Sequence, residues 1–441
     1  MNERKTFRLT SSRVIVLGFA AVILLATIVL MLPISSADHS RTSFIDALFT
    51  STSATCVTGL VTYNTAMHWS IFGKALILLL IQIGGMGVIT VAIGLSMISG
   101  KRISLLQRIF MQDSISAPQL GGIIKFTGFI VISAFTVEII GAVLLMPTLC
   151  GIYGAKGIWL SFFHSVSAFC NAGFDIMENG NNVSSLMAFR GNIPVNAVII
   201  LLIIIGGIGF ATWKDVKENG IKIKRYSLQS KVILITTLIF ILVPAIFFFI
   251  FEFKGFNTKD RVLASLFQSV TLRTAGFNTV DFSTLSDSSL SLMTVFMLIG
   301  GAPGSTAGGM KITTVVILLF SMKSVFLKQK EVRIGNRRIN DENVKKAAAI
   351  FMMYIILFFA GGIAISIYEN IPIQKCLFET ASAIGTVGLS TGITASLSAF
   401  SKIVLITLMY FGRVGGLTMI FAAARSSNNS SKLPEEKIVV G

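Results

Sequence analysis

The sequence predicts an all-α polytopic membrane protein, and three observations lead to that fold class. The chain of 441 residues is 53% hydrophobic and only 13% charged, which is too little charge to cover the surface of a soluble protein of this length. Several apolar runs reach the roughly 20 residues that a helix needs to cross a bilayer. One short sequence pattern also occurs four times along the chain.

The long apolar runs are the first predicted elements. They are Val14–Leu32, Ile123–Met146, Val195–Phe210, Val232–Phe251 and Ala347–Ile367. The first run is not followed by a convincing small-residue cleavage pattern. It is therefore predicted to be a retained membrane helix and not a signal peptide.

Basic residues alternate between rich and poor segments of the chain, whose net charge is +17. The rich segments are Met1–Arg13, Lys101–Lys125, Lys214–Lys231, Lys323–Lys346 and the tail from Arg425. This alternation follows the positive-inside rule and predicts a multi-pass protein of the cell membrane with both termini in the cytoplasm. The same distribution argues against a nucleic-acid partner.

The repeated pattern begins with Phe, has Ser or Thr four residues later and ends at Gly. Its copies are FTSTSATCVTG (49–59), FHSVSAFCNAG (163–173), FQSVTLRTAG (267–276), which is one residue short, and FETASAIGTVG (378–388). The closing glycines lie 114, 103 and 112 residues apart, which indicates internal duplication. The units are predicted over residues 13–100, 120–218, 230–327 and 343–425, followed by a cytoplasmic tail at 426–441.

Each copy of the pattern lies between two apolar spans. The second span of each unit is predicted to hold a glycine pair, at Gly84-Gly85, Gly206-Gly207, Gly300-Gly301 and Gly415-Gly416. The short segment that starts each copy cannot cross a bilayer as a helix. We therefore expect a half-membrane helix that enters and leaves on one side, and two outer spans per unit, which makes eight crossings.

Non-helical backbone at membrane depth is tolerated where it is buried in protein or lines a wet cavity. Four such strips would form a ring, and a ring of backbone carbonyls can replace the hydration shell of a cation. The negative C-terminal ends of the four short helices favour a cation at the same place. Glycine in membrane helices often serves close helix packing instead, but four strips at matched positions favour the ring.

The chain resembles the Trk/Ktr/HKT superfamily of potassium transporters, most closely its Ktr pore subunits. The shared motifs are TCVTGL, NAGFD, RTAGFN and GTVGLS, with IGGMG, IGGIGF and GGAPGSTAGG. The resemblance implies four membrane helix–pore helix–filter–membrane helix repeats around one central pore. The implied potassium-binding filter residues are Val57, Thr58, Gly59, Asn171, Ala172, Gly173, Thr274, Ala275, Gly276, Thr386, Val387 and Gly388. In plant relatives a serine at the first-repeat glycine accompanies sodium selectivity, so Gly59 implies a preference for potassium.

The strip GGAPGSTAGG (300–309) interrupts the second span of the third unit. It is not a phosphate-binding loop, because the pattern GxxxxGK[ST] is broken ahead of Lys311. A kinked helix is one interpretation, while the resemblance implies an intramembrane gate loop at 300–311, below the filter. The implied gate residues are Gly300, Gly301, Gly304, Ser305, Thr306, Gly308, Gly309, Lys311 and Arg413.

Arg413 lies in the middle of the apolar run Ile403–Phe421, where a charge is costly and rarely lacks a partner. The resemblance implies that it faces the pore near the gate loop and holds loop carbonyls. The alternative is a buried ion pair, with Glu138 or Glu379 as the possible acids. Glu138 is interpreted as the structural partner of a nearby polar group.

The resemblance implies potassium uptake across the cell membrane, with sodium-dependent activity and potassium as the transported ion. The alternative is a secondary cation transporter with alternating access, a class that favours inverted repeats and charged pairs at midplane. The units here are predicted to share one orientation. An enzyme would need a nucleophile, paired carboxylates or a metal cluster. The sequence offers none, and its four cysteines form no CxxC pair.

The expected partners also follow from the resemblance. It implies a homodimer surrounded by membrane lipid and seated on a cytosolic RCK-type ring of nucleotide-binding subunits. The chain has no GxGxxG motif followed by βαβ alternation. ATP or ADP is therefore expected on a separate regulatory subunit, and no cofactor is expected in this chain.

Overall fold

The computed structural model describes residues 10–98, 103–115, 121–177 and 186–423. Regular structure in these ranges is almost entirely helical, with one pair of two-residue strands. The predicted all-α membrane fold class is thereby confirmed. The predicted cytoplasmic tail, 426–441, lies outside the described residues.

The helices of the first two units follow the predicted order of long helix, short helix and second span. The first unit contains α1 (Ser11–Leu30), α2 (Phe44–Thr55), α3 (Thr65–His68), α4 (Ile71–Met86) and α5 (Val88–Ile98). Helix α6 (Leu105–Ser114) connects it to the second unit. The second unit contains α7 (Ile123–Tyr153), α8 (Lys156–Phe169), α9 (Ile193–Gly207) and α10 (Phe210–Asn219).

The third and fourth units keep the same order. The third contains α11 (Leu228–Phe247), which continues as a π turn over Phe248–Glu252, then α12 (Thr258–Thr271), α13 (Asp287–Met297) and α14 (Ile312–Phe326). A short antiparallel pair, β1 (Arg333–Ile334) and β2 (Arg337–Arg338), follows it. The fourth contains α15 (Asp341–Glu369), α16 (Ile373–Ile384), α17 (Ala399–Val414) and α18 (Gly416–Ala423).

The first helix of each unit is long and apolar enough to cross a bilayer. These spans are Ser11–Leu30, Ile123–Tyr153, Leu228–Glu252 and Asp341–Glu369. The short helices α2, α8, α12 and α16 carry the repeated pattern, and their opening Phe residues are at most 1% exposed. Helices α2 and α12 begin where Ser43 and Asn257 cap the N-terminus and an acid occupies the first turn, which satisfies free N–H groups and favours the helix dipole.

The second spans are broken at glycine in all four units, whereas the sequence analysis placed an interruption only in the third. Helices α4 and α5 meet at a bend of 98°, and α9 and α10 meet at the same angle. The break occurs at Gly87, Gly209 and Gly415, whose φ angles are 87°, 86° and 88°. Such angles are readily adopted only by glycine. In the third unit, residues 298–311 separate α13 from α14.

These breaks correct the predicted alignment of the fourth unit. Gly84, Gly206 and Gly412 occupy equivalent places, because a β-carbon on each would collide with a main-chain oxygen of the short helix in its own unit. The oxygens belong to Thr55, Phe169 and Ile384, which each lie four residues before the closing glycine of the pattern. The counterpart of Gly84-Gly85 is therefore Gly412-Arg413, three residues before the predicted Gly415-Gly416. The error arose because Gly415-Gly416 also reads as a glycine pair, although Gly415 is the break itself.

The four units form a closed ring. The second span of each unit packs against the short helix of the next, as α4 with α8, α9 with α12, α13 with α16, and α17 with α2. Lys402 on α17 forms an ion pair with Asp46 on α2, with Nζ 2.8 Å from Oδ1. This arrangement brings the four glycine-terminated strips to one axis.

Candidate functional site

The closing glycines of the four patterns lie against one another, and we call Gly59, Gly173, Gly276 and Gly388 the glycine ring. A β-carbon on Gly173 would lie 2.7 Å from Cα of Gly276, and one on Gly59 would lie 3.2 Å from Cα of Gly173. A β-carbon on Gly388 would lie 3.0 Å from Cα of Gly59, and one on Gly276 would lie 2.6 Å from the oxygen of Val387. No other residue type fits this approach.

The residue before each ring glycine presents its carbonyl to the neighbouring unit. The oxygen of Ala172 lies 2.5 Å from the β-carbon position of Gly59, and that of Ala275 lies 2.8 Å from the position on Gly173. Thr58 and Val387 make the equivalent approaches to Gly388 and Gly276. Among the described residues, no hydrogen-bond donor contacts these four oxygens. Four free carbonyl acceptors at one place are the ligands that a dehydrated cation requires.

The backbone turns these carbonyls towards the neighbouring units in a conformation that costs energy. The residues two before the ring glycines are Val57, Asn171, Thr274 and Thr386, and their φ angles are 57°, 57°, 61° and 51°. A positive φ at a non-glycine residue costs on the order of 1–3 kcal/mol and persists only where the surroundings impose it. The next N–H group imposes it here, since it donates back into the short helix, for example from Thr58 to the oxygen of Ser53 at 2.8 Å.

The repeated Ser or Thr braces each strip from behind. In the first and fourth units, Oγ of Ser53 and Oγ of Ser382 each accept a hydrogen bond from the N–H of the ring glycine at 3.0 Å. In the second and third units, Ser167 and Thr271 instead donate to the carbonyl that follows the ring glycine, at 2.8 and 2.6 Å. The pattern revealed these hydroxyls, but only the structure gives their role.

The glycine ring separates two cavities. One, which we call the glycine cavity, has a volume of about 460 Å³ and is lined by all four ring glycines and by residues that follow them, including Asp175 and Asn278. The other, which we call the loop cavity, has a volume of about 300 Å³. Its lining includes Gly85, Ser305, Lys311 and Arg413.

Residues 300–311, which we call the glycine-rich loop, lie beside the starts of the glycine-ring strips. The base of the loop is closed where the N–H of Gly300 donates to Met310 at 2.7 Å and that of Ile312 donates to Gly301 at 3.1 Å. Its middle touches the second unit, where Oγ1 of Thr306 donates to the oxygen of Phe169 at 3.0 Å. A β-carbon on Gly309 would lie 2.8 Å from the oxygen of Gly385. The loop thus lies at the opposite end of the strips from the glycine cavity.

Arg413 joins the glycine-rich loop to the broken span of the first unit. Its guanidinium donates to the oxygens of Thr306 and Gly84, and to that of Gly85 at 3.0 Å. In the same region, Nζ of Lys311 donates to the oxygen of Ala307 at 2.7 Å. The main-chain oxygens that Arg413 contacts belong to the first and third units, so this residue of the fourth unit connects the loop to the first unit.

Neither acid named as a possible partner of Arg413 contacts it. Glu138 accepts from Nε2 of Gln82 at 2.9 Å, which makes it the partner of a nearby polar group. Glu379 accepts hydrogen bonds from the hydroxyls of Ser390 and Thr394 at 2.6 and 2.7 Å. The hydrogen bonds of Arg413 thus run to main-chain carbonyls, and the ion-pair alternative is not supported.

One charged residue beside the ring was missed by the sequence analysis. Arg273 lies three residues before Gly276, at the position of Cys56 and Cys170, and is only 3% exposed. Its Nε and Nη2 have no hydrogen-bond partner within the described ranges. The sequence could have indicated Arg273, because the other three copies of the pattern have an uncharged residue at this position.

Comparison with known proteins gives consistent matches over the whole chain. A family model described as "TrkH: Cation transport protein" matches residues 3–433. The potassium/sodium uptake protein NtpJ of Enterococcus hirae is 39% identical over 100% of this chain and 99% of its own length. The Ktr system potassium uptake protein B of Bacillus subtilis is 37% identical over 99% and 98%. The crystal structure of the potassium transporter TrkH from Vibrio parahaemolyticus superposes with a TM-score of 0.73 at 19% identity, covering 96% of this chain and 87% of that one.

Proposed function

The chain belongs to the TrkH family of cation transport proteins, as its motifs predicted, and on that premise we propose that it is the potassium-conducting subunit of a Ktr-type uptake system. The glycine ring is the observation that carries this proposal. Its four free carbonyls are ligands for a bare cation. The ring glycines and the residues before them carry no charge that would trap the ion. Relatives named as potassium uptake proteins, at 33–39% identity, support potassium as the ion.

The proposed path runs from the outside to the cytoplasm through the ring. A hydrated potassium ion enters the glycine cavity, which faces the exterior when both termini are cytoplasmic. It exchanges water for the carbonyls of Thr58, Ala172, Ala275 and Val387. The four short helices end at the ring, and their negative dipole ends lower the cost of dehydration. The ion then leaves into the loop cavity.

The glycine-rich loop is the proposed gate of this path. It lies directly after the ring, and its glycines leave a chain segment that can change conformation without side-chain clashes. Arg413 holds the closed position, because it donates to the loop at Thr306 and to the first unit at Gly84 and Gly85. Breaking those hydrogen bonds frees the loop to move aside.

The proposed assembly includes proteins other than this chain. Several relatives are named as parts of Ktr systems, which supports a complex with further subunits. We assign ATP or ADP binding to a separate cytosolic RCK-type ring and expect the pore subunit to form a homodimer upon it. The basic segments that follow the second and third units are the surfaces best placed to meet that ring.

A second candidate function is uptake of both potassium and sodium, which the name of the Enterococcus hirae relative suggests. Rubidium and sodium uptake by cells that lack their own potassium uptake distinguishes the two, with and without an RCK-type partner. Potassium uptake predicts growth on limiting potassium and rubidium uptake in excess of sodium uptake. Equal uptake of both ions would favour the second function. Slow flux that saturates at low ion concentration would favour alternating access over a pore.

A further inference from the structure

His164 and Asp175 form a buried pair behind the end of the second strip that faces the glycine cavity. His164 follows Phe163 in α8 and is completely buried, and Asp175 stands two residues after Gly173 with its side chain 7% exposed. Nε2 of His164 lies 2.7 Å from Oδ1 of Asp175. The pair therefore links the short helix to the segment that leaves the glycine ring, at the wall of the glycine cavity.

The hydrogen bonding of the imidazole determines how this pair is held. Nδ1 of His164 lies 2.7 Å from the main-chain oxygen of Leu160, which can only accept, so Nδ1 carries a hydrogen. A neutral ring would then present the lone pair of Nε2 to a carboxylate oxygen at 2.7 Å. A proton must lie between them, so the imidazole and the carboxyl group are joined by a hydrogen bond. Asp175 is fixed further because Oδ1 accepts from the N–H of Met177 at 2.6 Å.

The residue after the opening Phe is also connected to the segment that follows the ring glycine in two further units. The residue after the opening Phe is Glu379 in the fourth unit, and it accepts from Ser390, two residues after Gly388, at 2.6 Å. In the third unit it is Gln268, whose Nε2 donates at 3.3 Å to Thr279, three residues after Gly276. In the first unit it is Thr50, whose hydroxyl has no partner in the described part of the chain. The hydrogen bond at this place is thus short in the second and fourth units, longer in the third and absent from the described part of the first.

We propose that His164, Asp175 and Glu379 are positioning residues that fix the glycine-cavity ends of the second and fourth strips and thereby contribute to discrimination between potassium and sodium. The inference rests on the proposed function. Four carbonyls around an ion repel one another and can close on a smaller cation only if their strips yield. The Ser/Thr hydroxyls hold the ring glycine or the residue after it. The buried connections of the second and fourth units hold the residue two positions after the ring glycine.

The test measures rubidium and sodium uptake for single and double substitutions at the pair. His164→Ala removes this hydrogen bond, and Asp175→Asn replaces the carboxyl group that shares its proton with the imidazole by an amide. We expect each to lower the rubidium-to-sodium uptake ratio by about tenfold, the size of losing one such bond at a fixed site. The double variant should be no worse than either single one, because the two residues act together. His164→Gln keeps a donor towards Asp175 and should recover most of the ratio.

The matched control is His39→Asn. His39 is exposed and has a φ of 56°, which asparagine also tolerates. The rubidium-to-sodium uptake ratio of His39→Asn should therefore equal that of the wild type. Unchanged ratios in His164→Ala and Asp175→Asn, with normal rubidium uptake, would reject the positioning role and leave the proposed function intact. If Asp175→Asn does not accumulate, His164→Ala and Glu379→Gln carry the test, and rubidium-to-sodium ratios within twofold of the wild type (roughly the spread of such assays) in both would also reject it. Absence of rubidium uptake by the wild type would overturn the proposed function itself.

Discussion

Gly388 and Gly59 are packed so closely that a β-carbon on Gly388 would lie 3.0 Å from the α-carbon of Gly59. These residues come from the last and the first unit, 329 positions apart in the sequence. Their contact closes the ring on the side where the chain has no covalent connection. It also leaves the adjacent main-chain oxygens of Thr58 and Val387 close to the axis.

Gly59→Ser should reduce the preference for rubidium over sodium. A β-carbon on Gly59 would lie 2.5 Å from the oxygen of Ala172, so one of the four carbonyl ligands must move. Uptake of both ions in cells measures the ratio. Gly151→Ser is the control, since a β-carbon there meets no atom within 4 Å. An unchanged ratio in Gly59→Ser would show that Gly59 does not belong to a selectivity filter.

Deletion of Ala302–Gly309 should raise rubidium flux in the absence of a regulatory subunit. The deletion joins Gly301 to Met310, which are already neighbours at the base of the loop through the hydrogen bonds of Gly300 and Ile312. The cut removes the blocking segment and leaves the residues of α13 and α14 in place. Flux is compared at equal amounts of membrane-inserted protein. A folded deletion variant with less flux than the wild type would contradict the gate assignment.

Arg413→Ala should raise flux several-fold and change the melting temperature little. Hydrogen bonds from a charged group contribute about 1.5–3 kcal/mol, while removing a charge from mid-membrane returns about 2.5–3.5 kcal/mol. Arg413→Lys should lie between wild type and alanine, because an ammonium cannot reach carbonyls of two units as a guanidinium fork does. Detergent melting and rubidium uptake are measured side by side. A loss of stability near 3–5 kcal/mol (about the cost of stranding a buried charge) would instead mean that Arg413 has an anionic partner.

Ser382→Ala should lower both selectivity and stability. It leaves the half-buried N–H of Gly388 without its acceptor, and losing one such hydrogen bond costs about 0.5–1.5 kcal/mol. Ser382→Thr keeps the hydroxyl and should behave like the wild type, as threonine already serves at position 271. Ser396→Ala is the control, because that serine is exposed and bonds only locally. Equal rubidium-to-sodium uptake ratios in Ser382→Ala and Ser396→Ala would show that the hydroxyl of Ser382 does not contribute to selectivity.

The units and their glycines could be predicted because they depend on local sequence. Apolar length, the spacing of Phe and Ser/Thr, and the recurring Gly are all visible without coordinates. The ring itself was expected from repetition, and the structure brings Gly59, Gly173, Gly276 and Gly388 into contact. The Ser/Thr residues were recognised as part of the pattern, but whether each hydroxyl donates or accepts depends on a chain reversal that spacing does not encode.

The broken spans and the alignment of Arg413 with Gly85 could not be predicted, since they depend on backbone angles. Gly415-Gly416 reads as a pair, yet Gly415 corresponds in conformation to Gly87 and Gly209. Arg413 then falls at the position of Gly85, where it reaches across to the first unit. His164 and Asp175 are eleven residues apart, and nothing in their spacing indicates that the strip between them turns back on the helix.

The most direct test of the account is to locate rubidium in the protein by anomalous diffraction from crystals grown in rubidium. The account predicts an anomalous peak on the axis of the glycine ring, within coordination distance of the carbonyls of Thr58, Ala172, Ala275 and Val387. The peak should be lost or displaced in Gly59→Ser. A rubidium-transporting protein whose crystals show no ion at those carbonyls, with the ion bound to acidic side chains elsewhere, would contradict it.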